Sequence, residues 1–489
     1  MDLETGAGLL HRLTSYTMDR EWDVRPDDPR LRHDLSQNDP ELRPPQLKSY
    51  PDGLPVVELP RDLPDPGVSA TSALAGPDVP AKALDAAELA RVLFLGAGVV
   101  RTSDIQGTPF LFRAAGSAGA RFPLEVYAST HGVPGVPDGV HWYDPVRHAL
   151  VQVGPAAGGA RAGRAPTSAG GATTLVVTGV PWRTGWRYAE RGWRHLYWDC
   201  GTALSQLQTA AASAGLAPRV RTMFPDAAVS RLVGADGIHE YPLVLLSFGD
   251  GEPAVTPTGT AAVGELPPVE LGVCTQAQRA GDRDELGAPW PDGPALTDVP
   301  PSDPLDAVIL RRGSQRLMDR SRTLPKASLE WPMAAALRGI DVPHWVVVHG
   351  VDGVAPGLYR WPDLGTPLRT GDLRDELLRV CLGQYLGADA AYVVISAARL
   401  STLDDRSYRE AQLAAGLVEG RLHQAAYALG AAASGMTFVD SELPGLLGEP
   451  DDLATLLFTC VGVPEYRSRA GGRPGAPATV RRVASRVTD

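Results

Sequence analysis

Three side chains that could bind a phosphate alternate along residues 310–318. Arg312, Ser314 and Arg316 stand at every second position, so two guanidinium groups and one hydroxyl could face a single ligand. Arginine suits this task because its planar fork donates two parallel hydrogen bonds to phosphate oxygens. The same residues could instead form an ordinary solvated helix face. The segment therefore indicates a phosphate site without establishing one.

A second group of residues suited to chemistry lies at 184–201, where arginines alternate with aromatic side chains. A degenerate copy returns at 405–416. Both copies read Arg-x-aromatic-Arg, and each has a glycine ten residues after its first arginine, Gly201 and Gly416. In both places another glycine follows after fourteen residues. A spacing held over this length predicts a duplicated structural unit.

Composition limits the possible functions. The 489 residues allow two or three domains with buried cores. The net charge of -11 is spread without a basic cluster, which argues against nucleic acid as a partner. Four widely spaced cysteines predict no disulfide framework and no metal site. With no signal peptide and no apolar run of membrane length, the sequence predicts a soluble, cytoplasmic protein without a membrane partner.

The chain divides into four predicted regions. Residues 1–80 are rich in proline and charge and predict an extended arm or partly disordered chain. Residues 81–250 open with the amphipathic helical pattern of 83–98 and continue with apolar runs typical of strands. Residues 251–304 carry many prolines and glycines, which predicts a linker or a wrapping connection. Residues 305–489 form a second unit ending in a tail.

The second unit repeats the element order of the first. The strand predicted at 357–362 matches one at 139–145, and the apolar run 391–396 matches the run 173–180. In both units an arginine-bearing helix follows, and a further apolar run closes the unit. The sequence therefore predicts two homologous α+β halves within one chain.

Several of these features together resemble the FMN-dependent nitroreductase superfamily. They are an Arg-x-Ser-x-Arg segment starting a domain, an Arg-x-Tyr-Arg helix ending in Ala-Gly, and the segment 429–438. Residues 117–127 and 186–195 are similar to the SagB-type branch, whose members are thiazoline and oxazoline dehydrogenases acting on ribosomally made peptides. The resemblance covers roughly residues 80–250 and 305–465 and implies a nitroreductase-like α+β fold.

In that superfamily two subunits exchange elements, and each flavin lies at their interface. An Arg-x-Ser-x-Arg segment of one subunit and a small-residue loop of the other hold it. Here the first half has the loop, 116–119, but no arginine in its opening segment 68–76, whereas the second half has the arginines and no loop. The resemblance thus implies a tandem fusion forming an intramolecular pseudo-dimer, with one intact FMN site and one degenerate site. The chain is expected to be monomeric or a homodimer.

The resemblance also assigns residues to FMN. Arg312 and Arg316 would hold the phosphate, and Ser314 would lie near the ribityl chain or ring. The other predicted contacts are the small-residue loop, the backbone near the flavin edge and two tail arginines: Gly116, Ser117, Ala118, Gly119, Gly435, Met436, Thr437, Arg467 and Arg469. Glycines at such positions let the backbone approach closely. A plain basic tail is the alternative for Arg467 and Arg469.

Catalytic roles follow from the same resemblance. Azoline dehydrogenases of this branch have a Lys-Tyr pair where this chain has Arg187 and Tyr188, and one partner moves the substrate's Cα proton. Because arginine stays protonated, Tyr188 is predicted to accept the proton while Arg187 stabilises negative charge. On a continuous helix Arg191 and His195 would flank Tyr188. Pairing of the helix arginines with carboxylates or backbone carbonyls is the structural alternative.

The predicted function is therefore FMN-dependent oxidation of azoline rings in a precursor peptide to azoles. Oxygen would reoxidise the flavin, and a cyclodehydratase would be the partner. Two alternatives remain, an NAD(P)H-dependent nitro or quinone reductase and a flavin-free docking subunit of a peptide-modifying complex. Rapid reduction of yellow protein by NAD(P)H would favour the first, and colourless protein that resists FMN loading would favour the second.

Overall fold

A computed structural model describes residues 1–19, 26–33, 37–105, 107–159, 171–449 and 452–488. The α-helices of these residues are α1 (Gly6–Thr14), α2 (Ala70–Ala75), α3 (Ala86–Ala97), α4 (Pro181–Tyr188), α5 (Gly192–Ser213), α6 (Asp226–Val233), α7 (Gly272–Ala280), α8 (Leu305–Arg311), α9 (Ala327–Ala336), α10 (Arg374–Val380), α11 (Leu386–Asp389), α12 (Asp405–Ala428) and α13 (Leu443–Leu447). The strands are β1 (Val56–Glu58), β2 (Val99–Ile105), β3 (Thr108–Arg113), β4 (Leu124–Thr130), β5 (Gly139–Asp144), β6 (Ala149–Gly154), β7 (Gly158–Gly159), β8 (Thr174–Gly179), β9 (Pro218–Arg221), β10 (Tyr241–Phe248), β11 (Ala254–Thr256), β12 (His344–Val348), β13 (Gly357–Arg360), β14 (Arg369–Thr370), β15 (Tyr392–Arg399), β16 (Ala432–Met436), β17 (Leu453–Gly462) and β18 (Ala478–Thr479). The mixture of helices and antiparallel sheets agrees with the predicted α+β class.

Two antiparallel sheets carry most of these strands. The first has the order β1-β6-β5-β4-β8-β10-β9, and the second has the order β14-β13-β12-β15-β17-β16. Strands β5, β4, β8, β10 and β9 of the first sheet therefore stand in the same order as β13, β12, β15, β17 and β16 of the second. The element order that repeats along the sequence also repeats in space.

Helix α3 confirms the amphipathic pattern at 83–98. It starts where the Asp85 side chain accepts hydrogen bonds from the amides of Ala87 and Glu88, the usual way to satisfy the first turn of a helix. The Gly98 amide donates to the Phe94 carbonyl at the other end. The strands β8 and β15 are buried along almost their whole length because both their faces are covered, as their runs of valine and isoleucine indicate.

Helices α5 and α12, of 22 and 24 residues, pack against each other and join the two sheets. They cross at the two glycines of the repeated motif. A Cβ on Gly201 would lie 2.3 Å from the Leu417 nitrogen, and one on Gly416 would lie 2.4 Å from the Trp198 carbonyl oxygen. Only glycine permits backbone to approach backbone this closely. The glycine spacing in the sequence therefore marks the crossing point of the helices.

The arginines of the repeated motif form reciprocal ion pairs across the same junction. Each pair of arginines holds one aspartate from beyond the other long helix: Arg191 and Arg194 with Asp440, and Arg406 and Arg409 with Asp226. The nitrogen to oxygen distances are 2.6 and 2.7 Å in the first set and 2.8 and 3.1 Å in the second. All these side chains are buried. Removing one partner of such a pair leaves an uncompensated buried charge.

The prediction of one continuous helix at 184–201 is wrong. Helix α4 ends at Tyr188, Ala189 has a φ of 49°, and α5 begins at Gly192 after a short 3₁₀ turn. The break has a packing cause, because a Cβ on Gly192 would lie 2.7 Å from the Gly185 nitrogen. The Thr184 hydroxyl also donates to the Gly192 carbonyl over 3.0 Å. The chain thus folds back on itself at this point.

The region predicted as an extended arm contains a buried helix. In α1 the side chains of Leu9, Leu10 and Leu13 are buried, and the Ala7 amide donates to Asp405 over 2.7 Å. Further along, Lys48 forms a buried ion pair with Glu240. Parts of the predicted arm, 20–25 and 34–36, lie outside the described residues. The predicted linker 251–304 likewise includes β11 and α7.

Three further properties concern the described part of the chain. None of its helices is long and apolar enough to cross a membrane. Its cysteines, Cys200, Cys274, Cys381 and Cys460, are free and buried. No group of three or more His, Cys, Asp or Glu side chains in these residues could hold a metal ion.

Candidate functional site

A cavity of about 1190 Å³ brings together segments that are far apart in the chain. Its walls come from β2 and β3, from β16 and β17 of the second sheet, from α4, α5 and α12, and from the C-terminal segment. They include residues 112–113, 115–122, 186–188, 198–199, 312–314, 434–437, 466–469 and 479–485. Every residue predicted to contact the cofactor lines it, namely Arg312, Ser314, Arg316, Gly116, Ser117, Ala118, Gly119, Gly435, Met436, Thr437, Arg467 and Arg469. Tyr188, Arg187 and His195 line it as well.

The arginine segment and the small-residue loop meet in this cavity. A Cβ on Gly116 would lie 3.3 Å from a terminal nitrogen of Arg312 and 3.7 Å from the Ser314 hydroxyl. Arg312 is 3% exposed; it donates to the Ala114 carbonyl over 2.5 Å and to Nδ1 of His423 over 3.2 Å. Its buried Nε has no partner in the described residues. Burial, followed by the charge of Arg101, lowers the pKa of Arg312 to about 10. A buried cation of this kind favours a bound anion.

The small-residue loop is held in place by Asp199 on α5. Its two carboxylate oxygens accept hydrogen bonds from the Ser117 hydroxyl over 2.5 Å and from the Ala118 amide over 2.9 Å. Gly119 has a φ of 56°, and a Cβ there would lie 2.6 Å from the Tyr188 hydroxyl. Glycine is therefore required at 119 both for backbone conformation and for the close approach of Tyr188.

Two carboxyl groups that sequence reasoning did not assign line the cavity, the buried Asp199 and the partly buried Glu419. Burial raises the pKa of Asp199 to about 7, against the hydrogen bonds from Ser117 and Ala118 that lower it. Burial raises the pKa of Glu419 to about 8, and the neighbouring Asp199 adds to this shift. Titration near neutrality is typical of groups that exchange protons in active sites. The available signal was an acidic residue inside an otherwise apolar helix run.

Tyr188 and His195, two of the predicted catalytic residues, lie together on one wall of the cavity. The rings of Tyr188 and His195 stack with centroids 4.1 Å apart and planes 8° apart, although they belong to different helices. Burial lowers the pKa of His195, so its imidazole is neutral. Burial also raises the pKa of Tyr188, while the charge of Arg187 opposes the shift. Tyr188 is therefore a protonated phenol at neutral pH, suited to donating a hydrogen bond.

Arg191 is the one predicted site residue that the structure does not bring into the cavity. Its guanidinium lies 4.0 Å from the Tyr16 ring centroid, pairs with Asp440 and donates to the Thr14 carbonyl over 2.7 Å. These contacts join the N-terminal region to the segment that follows β16. Arg191 therefore follows the alternative in which the helix arginines pair with carboxylates and backbone carbonyls.

The family model and the known proteins that are similar to this chain are described as nitroreductases. The model described as "Nitroreductase family" matches residues 117–250. "Putative nitroreductase MJ1384" of Methanocaldococcus jannaschii is 31% identical over 166 residues, which are 33% of this chain and 79% of that protein. A solved structure described as a putative nitroreductase from Anabaena variabilis has 22% identity and a TM-score of 0.69, covering 94% of this chain and 100% of that one. An FMN-dependent nitroreductase from Clostridium difficile has 14% identity and a TM-score of 0.24, covering 34% and 90%.

Proposed function

The chain belongs to the nitroreductase family, and from this we propose that it is an FMN-dependent dehydrogenase that oxidises azoline rings in a peptide to azoles. When bound, FMN supplies the hydride acceptor, and oxygen returns it to the oxidised state. The observation that carries the proposal is the meeting of three segments in one cavity: the Arg-x-Ser-x-Arg segment, the small-residue loop and the Arg187–Tyr188 pair. A precursor peptide would be the substrate and a cyclodehydratase the partner.

The residues present fit FMN. The buried Nε of Arg312 has no hydrogen-bond partner among the described residues, and Arg316, Arg467 and Arg469 add cationic groups that match a phosphate. The small-residue loop lies directly against this segment, where a side chain at Gly116 would crowd Arg312. Gly435 and Met436 at the end of β16, and Thr437 after it, line the same cavity. We therefore assign cofactor binding to Arg312, Ser314 and Arg316 together with the loop 116–119.

Oxidation of an azoline also requires removal of a proton from carbon, and the environment of each side chain decides its role. Tyr188 was predicted to accept this proton, but its raised pKa keeps it protonated. Asp199, with a pKa of about 7, can be ionised at working pH and accept a proton. Both contact the loop 117–119, so they act on the same side of the cavity. We assign Asp199 as base and Tyr188 as hydrogen-bond donor to the substrate.

We also propose that the two sheets with their long helices are tandem homologous halves arranged as an intramolecular pseudo-dimer with a single cofactor site. The helix positions seven residues after the crossing glycines support a single site. On α12 this position is His423, whose Nδ1 accepts a hydrogen bond from Arg312, a residue that lines the cavity. On α5 it is Gln208, whose amide donates to Asp292 over 3.1 Å. Gln208 thus contacts Asp292 of the predicted linker, which does not line this cavity.

Residues 290–296 fill that second position. The Trp290 indole donates to the Gly339 carbonyl over 2.8 Å, and the Leu296 amide donates to the Ala75 carbonyl over 2.9 Å. Arg338 donates to carbonyls of the same segment, at Gly293 and Pro294. Because 290–296 belongs to the predicted linker, the connection between the halves itself covers the degenerate site.

Turnover with a defined substrate tests the activity. FMN-loaded protein should convert a thiazoline-containing peptide to its thiazole, with a loss of two mass units per ring. One molecule of oxygen should be consumed for each ring. Asp199→Asn should retain the yellow colour and lose this activity. If the protein instead oxidises NADPH rapidly with a nitroaromatic acceptor and leaves azoline peptides unchanged, it is a general flavin reductase and the proposal fails.

A further inference from the structure

The mouth of the cavity, on the side of Tyr188, holds arginines that no carboxylate among the described residues neutralises. Arg43, Arg121 and Arg482 line the cavity and form no ion pair with a described residue. This concentration of positive charge stands out in a chain of net charge -11.

Aromatic rings hold these arginines in place. The Arg121 guanidinium carbon lies 4.8 Å from the Trp186 ring centroid and 6.0 Å from that of Phe110. The Arg482 guanidinium carbon lies 6.0 Å from the same Phe110 ring. Stacking on a ring fixes a guanidinium while leaving its edge donors available to a ligand. Phe110 therefore carries two arginines that face the same mouth.

The charges also act on one another. Burial, followed by the charges of Arg43, Arg187 and Arg482, lowers the pKa of Arg121 to about 10. The Nε atom of Arg121 is buried and has no hydrogen-bond partner in the described residues. Like charges gathered around an unsatisfied donor are stabilised when an anion binds among them. The arrangement is that of an anion site.

We infer that this arginine cluster, Arg43, Arg121 and Arg482 with Arg187 beside it, binds carboxylates of the substrate that flank the ring to be oxidised. The substrate would accordingly be an acidic peptide. The cluster draws on separate parts of the chain and runs from exposed Arg43 and Arg482 to half-buried Arg121. That extent suits several carboxylates along an extended peptide better than one small anion. This inference rests on the proposed function only for the identity of the ring that is oxidised. The anion site itself does not depend on that function.

Paired substrates test the inference with FMN-loaded, full-length protein. Two thiazoline peptides would differ only in having glutamate or glutamine on either side of the ring. We expect the glutamate peptide to be favoured by about tenfold or more in kcat/KM, because each charged contact contributes on that scale. Arg121→Gln should remove the preference, so that the ratio of the kcat/KM values for the two peptides falls toward one. Equal kcat/KM for the two peptides in the wild-type protein would overturn the inference.

Arg231→Gln is the matched control, since Arg231 is an exposed helix residue away from the cavity. It should keep the full preference. Arg43→Gln is a second test variant, because this exposed side chain can be changed without disturbing the packed loop. It should reduce the preference by about threefold or more at 150 mM salt. Retention of the full preference in both test variants would contradict the assignment.

Direct binding separates this inference from the proposed function. Calorimetry with a ring-free peptide of glutamate and glycine should show binding that weakens about tenfold in Arg121→Gln and that a glutamine peptide does not reproduce. If this holds while no azoline peptide is oxidised, the anion site stands and the proposed reaction fails. If Arg121→Gln instead weakens binding of NADPH relative to NADH and leaves the acidic peptide unaffected, the anion is a nucleotide phosphate and the inference is overturned.

Discussion

Asp199→Asn should change the pH dependence of stability in a way that only a buried, protonated aspartic acid explains. The folded pKa of Asp199 is about 7, and the reference value is 3.8. Between these values the unfolded chain has lost the proton and the folded chain still holds it, so rising pH favours unfolding. Each pKa unit corresponds to 1.36 kcal/mol, so ionisation of Asp199 costs the folded state about 4 kcal/mol by pH 7.5.

Asparagine has no such cost, because it stays neutral at every pH. The free energy of unfolding of Asp199→Asn minus that of the wild-type protein should therefore rise by about 4 kcal/mol between pH 4 and pH 7.5. It should level off above about pH 9, where both Asp199 and Glu419 are ionised in the folded and the unfolded state. Subtracting the unfolding free energies of the two proteins cancels the titration of groups far from Asp199. The nearby Glu419 adds to the rise, because its pKa is raised less when the charge of Asp199 is absent.

Urea unfolding of the flavin-free proteins at half-unit pH steps measures this difference. Wild-type turnover should rise with pH through about 7, since the base acts when ionised. Ser117→Ala is a useful control because it removes the hydroxyl that donates to Asp199 but keeps the carboxyl group. It should raise the pKa of Asp199 and shift the turnover profile to higher pH. A stability difference that does not change with pH would show that folding does not raise the pKa of Asp199, and its assignment as a base that titrates near pH 7 would be refuted.

Three further substitutions test other parts of the account. Gly416→Ala should lower the free energy of unfolding by about 1–3 kcal/mol, because its Cβ would lie 2.4 Å from a backbone oxygen of Trp198, whereas Gly445→Ala, with open space around it, should not. An unchanged urea midpoint for Gly416→Ala would contradict the helix crossing. Tyr188→Phe should lower kcat by about a hundredfold with FMN still bound, as expected for a lost hydrogen-bond donor, and loss of FMN would make Tyr188 structural. Asp440→Asn should lower stability by about 3–5 kcal/mol in urea unfolding because two buried arginines lose their carboxylate; a change below 1 kcal/mol would contradict the ion-pair network.

Features written as short motifs or fixed spacings could be predicted from the sequence. The alternation of Arg312, Ser314 and Arg316 and the loop 116–119 predicted two segments that the structure brings together in one cavity. The glycines ten residues after each motif arginine, Gly201 and Gly416, predicted a repeated unit, and their packing explains the spacing. These features were predictable because backbone approach and phosphate binding tolerate few residue types.

Features that depend on tertiary packing could not be predicted. The helix break at Ala189 arises because Gly192 packs on Gly185, which helical periodicity does not encode. Arg191 was assigned to the site because it shares a helix face with Tyr188 in an unbroken helix; in the structure it binds Asp440, 249 positions later. Asp199 gains its raised pKa from burial, which depends on the whole fold. Short sequence motifs thus predicted which segments meet in the cavity. The pKa shifts of the carboxyl groups between these segments could be found only from the structure.

The number of FMN molecules bound per chain tests the central claim most directly. The claim is that one composite site, built from Arg312, Ser314 and Arg316 of one half and the loop 116–119 of the other, is intact, while residues 290–296 cover its counterpart. Flavin absorbance of fully loaded protein, divided by chain concentration from amino-acid analysis, should give a ratio of one, and Arg312→Ala should reduce it toward zero. A ratio near two, or a chain that takes up no FMN, would contradict the account.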